Sequence, residues 1–269
     1  MSVKSLVPPG FRWVPGKAFW ISLGLVAWLY FVISHIPAAW GAWLLTRSGD
    51  LALTGPTGTL WNGRASLASV KIKGVDHSLG QVSWKLDVLP LFLLKACGQV
   101  TAQMDNQQFD GYVCGGRKGA LSVKNASATF PAALLQQALP LAIEGEFSLQ
   151  VDTLELQGSQ LGDLRGKLSW QAAKIYNGSN WMTLGAFGAE LVDDDKNGLS
   201  AHIFEVVSPA HVDLVLALTA PTGGFIRGGL KVPESFIKEA NASAWLGMFA
   251  QAQPVDGEGN ITYAVDVGL

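Results

Sequence analysis

The segment EGEFSLQVDTLEL at residues 144–156 decides the fold class of this 269-residue chain. In it, Phe147, Leu149 and Val151 are separated by single polar residues. Side chains on a β-strand point alternately to opposite faces, so a period of two places these three on one face. The segment therefore predicts a strand with one face against an apolar core and the other toward water.

The same alternation recurs on both sides of this segment. It is found at residues 64–72 (RASLASVKI), 81–88 (QVSWKLDV), 166–170 (GKLSW) and 211–218 (HVDLVLAL). Gly, Pro, Asn and Asp, which favour turns, fall between such runs at residues 73–76, 158–162, 193–198 and 221–224. We expect a mainly β protein built on a large, curved antiparallel sheet.

Two stretches depart from this alternation and favour helices. They are residues 131–139 (PAALLQQAL) and 233–250 (PESFIKEANASAWLGMFA), and each begins with proline, which suits the first turn of a helix. In the second stretch, Phe236, Ile237 and Ala240 share one helical face. The sequence thus predicts two short helices beside the sheet.

A long apolar segment near the N-terminus predicts a membrane anchor. Residues 18–36 (AFWISLGLVAWLYFVISHI) contain no Lys, Arg, Asp or Glu, and a 19-residue helix is roughly 28 Å long, enough to span a bilayer core. Lys4, Arg12 and Lys17 precede it, and the first acidic residue is Asp50. By the positive-inside rule the N-terminus then stays in the cytoplasm.

This predicts four parts: a cytoplasmic N-terminus (1–17), one transmembrane helix (18–36), a juxtamembrane segment (37–48) and a β-rich domain on the non-cytoplasmic side (49–269). The alternative is a cleaved signal peptide. The apolar run is longer than the usual core of about 7 to 15 residues, and no clean A-x-A cleavage site follows it, which favours the anchor.

The two cysteines are candidates for a disulfide. Cys97 and Cys114 are equally distant from the midpoint of Asp105 and Asn106. If those two residues form a hairpin turn, the cysteines face each other with Cα atoms about 4.5 Å apart, near the short end of the disulfide range. The alternative is two separate thiols, with the turn at residues 109–111. An oxidising compartment would favour the bridge.

One segment resembles a metal loop. Residues 193–198 (DDDKNG) match the opening of a calcium-binding loop, which needs carboxylates at alternate positions. Glutamate is required at the twelfth position, but the chain has Phe204 there. A solvated hairpin tip is the favoured interpretation.

Enzyme chemistry finds no support in the sequence, and we expect no catalytic residue, metal or cofactor. His77, His202 and His211 do not have zinc-ligand spacing, and no Walker loop or G-x-S-x-G motif is present. A hydrolase would have to combine scattered residues such as His202, Glu205 and Asp213. The net charge of −2, without a basic stripe, disfavours nucleic acid as a partner.

A glycine-rich segment soon after the predicted anchor is the most distinctive motif. Residues 51–65 read LALTGPTGTLWNGRA, and on physical grounds they predict a tight turn in which tryptophan covers an apolar face. The motif residues are Gly55, Gly58, Thr59, Leu60, Trp61 and Gly63.

This segment and those that follow it resemble the N protein of the bacterial type II secretion system, the GspN family. The later matches, in order, are VSWKL (82–86), LPLFLL (89–94), LPLAIEG (139–145), GKLSW (166–170) and GEGNITY (257–263). The resemblance covers nearly the whole outer part. The cysteine pair and the acidic tip at 193–195 depart from the family pattern.

The resemblance implies an accessory or assembly component of the type II machinery in the Gram-negative inner membrane. Such a scaffold would be single-pass, would have no enzymatic activity, and would bind inner-membrane platform proteins or the outer-membrane secretin. The alternative function is a lipid-binding or lipid-transfer β-groove module of the bacterial envelope, similar to AsmA-like proteins. A curved sheet with one apolar face can hold acyl chains.

Overall fold

A computed structural model describes residues 17–47, 49, 51–72, 75–136, 142–158, 160–194, 198–219, 223–239, 242, 246–247 and 250–268. The chain begins with two helices, α1 (Lys17–Ser34) and α2 (Ala38–Thr46). Pro37 separates them with an extended backbone, at φ −62° and ψ 144°. Within the described residues, no helix meets the combined length and hydropathy expected of a membrane span.

Fifteen strands and one further helix follow among the described residues. They are β1 (Leu51–Thr54), β2 (Thr57–Gly58), β3 (Asn62–Ile72), β4 (Val75–Leu86), β5 (Ala96–Met104), β6 (Gln107–Gly115), β7 (Ala120–Pro131), β8 (Ile143–Gln157), β9 (Gln160–Tyr176), β10 (Trp181–Asp194), β11 (Gly198–Val207), β12 (His211–Thr219), β13 (Gly223–Pro233), α3 (Glu234–Glu239), β14 (Ala250–Ala252) and β15 (Asn260–Gly268). Three 3-10 helices are also present, at Leu89–Leu93, Arg117–Gly119 and Ala132–Leu135.

The strands form one sheet in the order β1-β3-β4-β5-β6-β7-β8-β9-β10-β11-β12-β13-β15-β14, and β2 pairs with β3. Neighbours pair antiparallel, for example β8 with β9 and β13 with β15. From β3 to β13 each strand therefore pairs with its neighbours in sequence. The prediction of a mainly β chain with a large antiparallel sheet is confirmed.

The longest strands, β8 and β9, lie at the centre of this order. Ile143, Phe147 and Val151 are buried at every fourth position of β8, so they share one face. The register shifts three times between β8 and β9, and such bulges bend and twist a strand. At one of them Gly145 has φ +118°, and a Cβ there would lie 2.5 Å from the Gln171 carbonyl oxygen.

The main apolar core lies on this face of the sheet's C-terminal half. Phe147, Ile175, Met182 and Tyr263 contribute from four strands. Ile237 of α3 is 4% exposed and packs against them. The short helix therefore covers the face that the alternation of the strands makes apolar.

Each of the two predicted short helices corresponds to a shorter helix in the structure. Pro131 is the last residue of β7, where it pairs with Glu146, and the N-cap of a 3-10 helix at Ala132–Leu135; residues 137–139 lie outside the described residues. The second helix is found at Glu234–Glu239, but Ala250 already belongs to β14. Residues 240–241, 243–245 and 248–249 of that prediction are outside the described residues.

Candidate functional site: the joint between the first helix and the sheet

The glycine-rich motif forms a closed turn at the start of the sheet. Gly55 and Gly58 have φ of +62° and +86°, and a Cβ on Gly58 would lie 2.6 Å from the Asn62 carbonyl oxygen. The backbone N–H of Thr59 donates to that carbonyl at 3.0 Å, and the Asn62 N–H donates to Thr59 Oγ1 at 3.1 Å. These contacts hold Leu60 and Trp61 at the tip of the turn.

The tip of the turn is bonded to the C-terminal end of α1. The Trp61 indole Nε1 donates to the Ile33 carbonyl oxygen at 2.7 Å, and the Leu60 N–H donates to the Ile36 carbonyl oxygen at 2.8 Å. Pro37 also bridges to Thr59. The Ile33 carbonyl also accepts the Ile36 N–H at 3.3 Å, so the motif adds donors to the last turn of α1 and to the segment just after it.

Leu60 also contacts α2. A Cβ built on Gly41 would lie 2.5 Å from Leu60 Cδ1, so the leucine side chain occupies the space that glycine leaves. Ala38 and Ala42 on the same helix are 1% and 5% exposed, and α2 contacts β1, β2 and β3. Small residues on α2 therefore let the helix lie close to the sheet.

A second tryptophan holds the turn from the other side. Trp84 Nε1 on β4 donates to the Leu60 carbonyl oxygen at 3.0 Å, and the Leu86 N–H donates to the Trp61 carbonyl oxygen at 2.7 Å. Gly63 lies opposite Trp84, and a Cβ on Gly63 would be 2.5 Å from the indole ring. The last motif glycine is therefore required for space. We call the contacts of Leu60 and Trp61 with residues 33–41, together with the Trp84 hydrogen bond that holds Leu60, the helix joint.

The cysteines lie at the same end of the sheet. The β5–β6 turn is formed by Asp105 and Asn106, Cys97 faces Cys114, and the two are joined by a disulfide with Cα atoms 4.0 Å apart. Cys97 is 4% exposed, and its carbonyl accepts the Asp87 N–H at 2.8 Å. The bridge thus fixes the strand ends beside the helix joint.

Asp87 has a further contact across these strands. The Tyr112 hydroxyl donates to the Asp87 carboxylate at 2.7 Å. This hydrogen bond, together with partial burial and the negative charge of Asp87, raises the pKa of Tyr112 above its ordinary value. Tyr112 is therefore a neutral donor that links β6 to the end of β4.

Two features of this end of the sheet escaped sequence reasoning. One is α2, which lies in the predicted juxtamembrane segment. The other is the exposure of residues 88–94 (VLPLFLL), the 88–94 loop, where Leu89 and Phe92 are 80% and 81% exposed. The sequence does contain a signal for an unusual apolar loop, because these seven residues between Asp87 and Lys95 have no polar side chain.

The acidic tip uses its first two carboxylates as backbone acceptors. Asp193 Oδ1 accepts the Leu164 N–H at 3.2 Å, and Asp194 Oδ1 accepts the Gly198 N–H at 2.7 Å. Residues 195–197 of the predicted calcium motif lie outside the described residues. In the part of the chain that is described, no group of three or more His, Cys, Asp or Glu is placed to hold a metal.

The residues named for a hydrolase separate into two surface pairs. His202 Nε2 lies 2.8 Å from Asp213 Oδ1, whereas Glu205 contacts His211 and accepts the Val212 N–H at 2.7 Å. Burial acts to raise the pKa of Glu205, but hydrogen bonds from the backbone and from His211 outweigh it and hold the pKa below its ordinary value. His202 and Glu205 are three residues apart on β11, so they lie on opposite faces of the strand and form no common site.

A partly open cavity of about 370 Å³ lies beside the apolar core in the C-terminal half. Phe147, Trp170 and Phe187 line one part of it, and Val232 and Phe236 line another. The accessible wall formed by the described residues is apolar. Such a wall suits an apolar ligand and offers no polar group for orienting a reactant.

Residues 49–256 match the family model of the type II secretion system (T2SS), protein N. The chain belongs to the type II secretion system protein N family. A comparison with curated proteins found no match, and a comparison with solved structures found none either. The family assignment made from the motif order is therefore confirmed, and with it a role as a component of type II secretion.

The family match covers most of the sheet. It includes the Gly-Thr-Leu-Trp turn, both cysteines, the 88–94 loop and the residues that line the cavity. The helices α1 and α2 precede it, and β15 follows it. In this member of the T2SS protein N family, the helix joint thus connects the family domain to the segment before it.

Proposed function

We propose that this protein is an accessory assembly component of the type II secretion machinery, a non-enzymatic scaffold that holds the sheet at the periplasmic face of the inner membrane. The family match over residues 49–256 is the observation that carries the proposal. The helix joint supports it, because a sheet bonded to the end of a helix moves with that helix.

The anchor is proposed at residues 18–36. Apart from Lys17, α1 contains no charged residue, and its large apolar side chains are exposed along the helix, including Ile21 at 72% and Phe31 at 61%. A helix that is apolar on every side needs an apolar surrounding. A bilayer supplies it, and Trp61 would then lie at the outer interface, where tryptophan is favoured.

The orientation follows from charge and redox chemistry. Lys4, Arg12 and Lys17 precede the anchor, so residues 1–17 stay in the cytoplasm and residues 49–269 are periplasmic, with 37–48 between them as a juxtamembrane segment. The Cys97–Cys114 disulfide supports this orientation, because structural disulfides persist in the oxidising periplasm and are rare in the cytosol.

Partner subunits are proposed to add strands at the two ends of the sheet. Among the described strands, β1 and β14 end the order, and each has an outer edge that no described strand pairs with. An unpaired strand edge can accept another strand through backbone hydrogen bonds. The proposed partners are the inner-membrane platform proteins and the outer-membrane secretin.

Site-specific photo-crosslinking in a secreting strain tests this proposal. A photoreactive residue at Ala52 on β1 or Gln251 on β14 is expected to capture type II subunits, whereas one at exposed Lys167 on the central strand β9 is not. Equal capture at the three positions would reject the edges as docking sites. Normal export in a strain lacking the protein would reject the scaffold function.

The apolar cavity favours a second function, lipid binding. An acyl chain needs no hydrogen-bond partner, whereas a peptide in the same place would leave its backbone polar groups unsatisfied. The cavity has a volume of about 370 Å³, and the part of its wall formed by the described residues is apolar. It therefore suits the methylene groups of a lipid. Native mass spectrometry of the full chain, released from detergent in the spectrometer, tests this candidate; a spectrum without bound phospholipid would remove it.

A further inference from the structure

The helix α2 is apolar on two sides. Its small residues Ala38 and Ala42 face the sheet, while Trp40, Trp43 and Leu44 are 73%, 64% and 65% exposed. Residues three and four apart lie on the same side of a helix, so these three form one outward surface. All three side chains remain more than half exposed within the described chain.

The 88–94 loop presents a second apolar surface. Leu89, Phe92 and Leu93 are 80%, 81% and 75% exposed, while the chain around them forms a 3-10 helix. Leu94 has φ +57°, which is rare for leucine, and its N–H donates to the Leu91 carbonyl at 2.9 Å. The loop thus keeps a fixed shape with its largest apolar side chains outward, and strained conformations of this kind cluster at functional segments.

Both surfaces lie close to the end of α1. The helix joint bonds Trp61 to Ile33, and the Trp61 carbonyl accepts the Leu86 N–H at 2.7 Å. Leu89 follows Leu86 by three residues, a reach of at most about 10 Å. The loop, α2 and the end of the proposed anchor therefore share one end of the sheet.

We propose that α2 and the 88–94 loop insert together into the outer leaflet of the bilayer beside α1. Their outward residues, Trp40, Trp43, Leu44, Leu89, Phe92 and Leu93, form a surface that we call the apolar base. This inference rests on the proposed membrane anchoring of α1, and it adds a second, peripheral contact that keeps the sheet at a fixed height and orientation.

The choice of a bilayer rather than a protein rests on composition and charge. Tryptophan and leucine with adjacent basic residues are typical of elements that lie in a membrane interface. Arg47 lies 5.5 Å from the Trp43 ring centre, and Lys85 and Lys95 are exposed on either side of the loop. The acidic residue Asp87 precedes the loop, and the Tyr112 hydroxyl donates a hydrogen bond to its carboxylate. Basic groups around an apolar patch fit anionic headgroups.

Cysteine-directed fluorescence in nanodiscs tests the proposal. The full chain is placed in phosphatidylethanolamine and phosphatidylglycerol with an environment-sensitive dye at Phe92→Cys; Cys97 and Cys114 are joined and do not react. Leu25→Cys in α1 reports on the anchor. Asn106→Cys at the other end of β5, roughly 25 Å away along the strand, is the matched control.

Spin-labelled lipid is expected to abolish most of the emission at Leu25→Cys and Phe92→Cys and to leave Asn106→Cys unchanged. If only the dye at Leu25→Cys is quenched, the insertion of the apolar base is rejected and the proposed anchor is retained. The absence of quenching at both of these sites rejects the anchor and the inference with it. Equal quenching at Phe92→Cys and Asn106→Cys, or shielding of Phe92→Cys only after another secretion subunit is added, also overturns the apolar base.

Because Phe92 is exposed, its replacement is not expected to disturb folding. Disulfide formation between Cys97 and Cys114 in each labelled variant checks that the sheet has formed. A second variant, Phe92→Asp, keeps the dye at Leu93→Cys and is expected to lose the quenching there. Retained quenching in that variant would mean that the loop does not depend on its apolar side chains for contact, against the proposal.

Discussion

The two halves of the sheet differ in the size of the apolar side chains that they bury completely. Before residue 130, every buried apolar residue in the described chain is alanine or cysteine, such as Ala65, Ala68 and Cys97. The larger apolar side chains there are half-buried, such as Trp84, or exposed, such as Phe92. After residue 130 the buried set includes Phe147 and Tyr263, which pack beneath α3.

The difference follows from what lies over each half. In the C-terminal half, α3 and its neighbours cover the face of the sheet, so burial of large side chains stabilises it through the hydrophobic effect. In the N-terminal half, a disulfide, two indole hydrogen bonds and close packing of glycine and alanine fix the strands instead. This leaves exposed apolar side chains such as Leu89, Phe92 and Leu93 available for contact with something outside the chain.

The largest expected effect is on the free energy of unfolding, and two phenylalanine variants compare the two halves directly. Phe147→Ala removes a buried ring that stacks on Trp170 at 5.4 Å, and it should lower the free energy of unfolding by about 3 to 5 kcal/mol. Phe92→Ala should change it by less than about 0.5 kcal/mol, because the ring is exposed. Urea unfolding of the full chain in mild detergent measures both changes. Similar losses of stability in the two variants would contradict the difference between the halves.

The disulfide is expected to be the largest single stabiliser of the N-terminal half. Replacing Cys97 and Cys114 with alanine should cost roughly 3 kcal/mol, the chain-entropy value for a ring of this size. Reductant should lower the urea midpoint of the natural chain and leave that of the double variant unchanged. Two reactive thiols per natural chain, titrated under denaturing conditions without reductant, would contradict the bridge.

The helix joint predicts a smaller, local effect. Trp61→Phe keeps a ring but removes the N–H that donates to Ile33, which should cost about 1 kcal/mol. The amide of Leu60, bonded to the Ile36 carbonyl, should then exchange with deuterium about fivefold faster, the ratio that corresponds to that free energy.

Trp181→Phe is the matched control for this variant, because Trp181 is 43% exposed on β10 in the other half of the molecule. It should leave exchange at Leu60 unchanged. If Trp61→Phe also leaves that exchange rate unchanged, the joint does not hold the turn against α1.

The smallest expected effect is a pH dependence at the C-terminal end of the sheet. The Asp256 carboxylate accepts the backbone N–H of Asn260 and pairs with Lys231 at 2.9 Å, and these contacts lower its pKa to about 2. Because the folded-state pKa is depressed, the stabilisation is present above pH of about 4 and is lost as the pH falls toward about 2.

Asp256→Asn should therefore lower the melting temperature slightly at neutral pH, and the difference from the natural chain should vanish near pH 2. Thermal unfolding at several pH values measures this. Asp266→Asn, which removes a carboxylate from the exposed pair with Arg227, is the control for a change of surface charge. A constant difference between the Asp256 variant and the natural chain across this window would argue against the assigned contacts.

The sequence predicted what local patterns determine. The alternation around Phe147 corresponds to β8, and the run that begins at His211 corresponds to β12. The family assignment also followed from short motifs in order. These features depend on residues close to one another in the chain, so they can be predicted without knowledge of the fold.

Features that depend on distant residues were missed. Trp61 and Ile33 are 28 positions apart, so nothing local indicated that the indole N–H would bond to the end of a helix. The helix α2 lacks a polar face, so its sequence shows no helical alternation. The helix predicted from Pro131 is found as a 3-10 helix at Ala132–Leu135, and the pairing of Pro131 with Glu146 across the sheet, which sets its start, could not be seen locally.

The order of the strands also bears on how the protein is made. From β3 to β13, each new strand bonds to the one synthesised immediately before it, so each addition needs only a short hairpin closure. A chain that emerges N-terminus first can therefore add one strand at a time to the sheet. The turn that is bonded to α1 lies where this addition begins. Among the described strands after β13 the order changes: β15 bonds to β13, and β14, which is three residues long, lies at the outer edge.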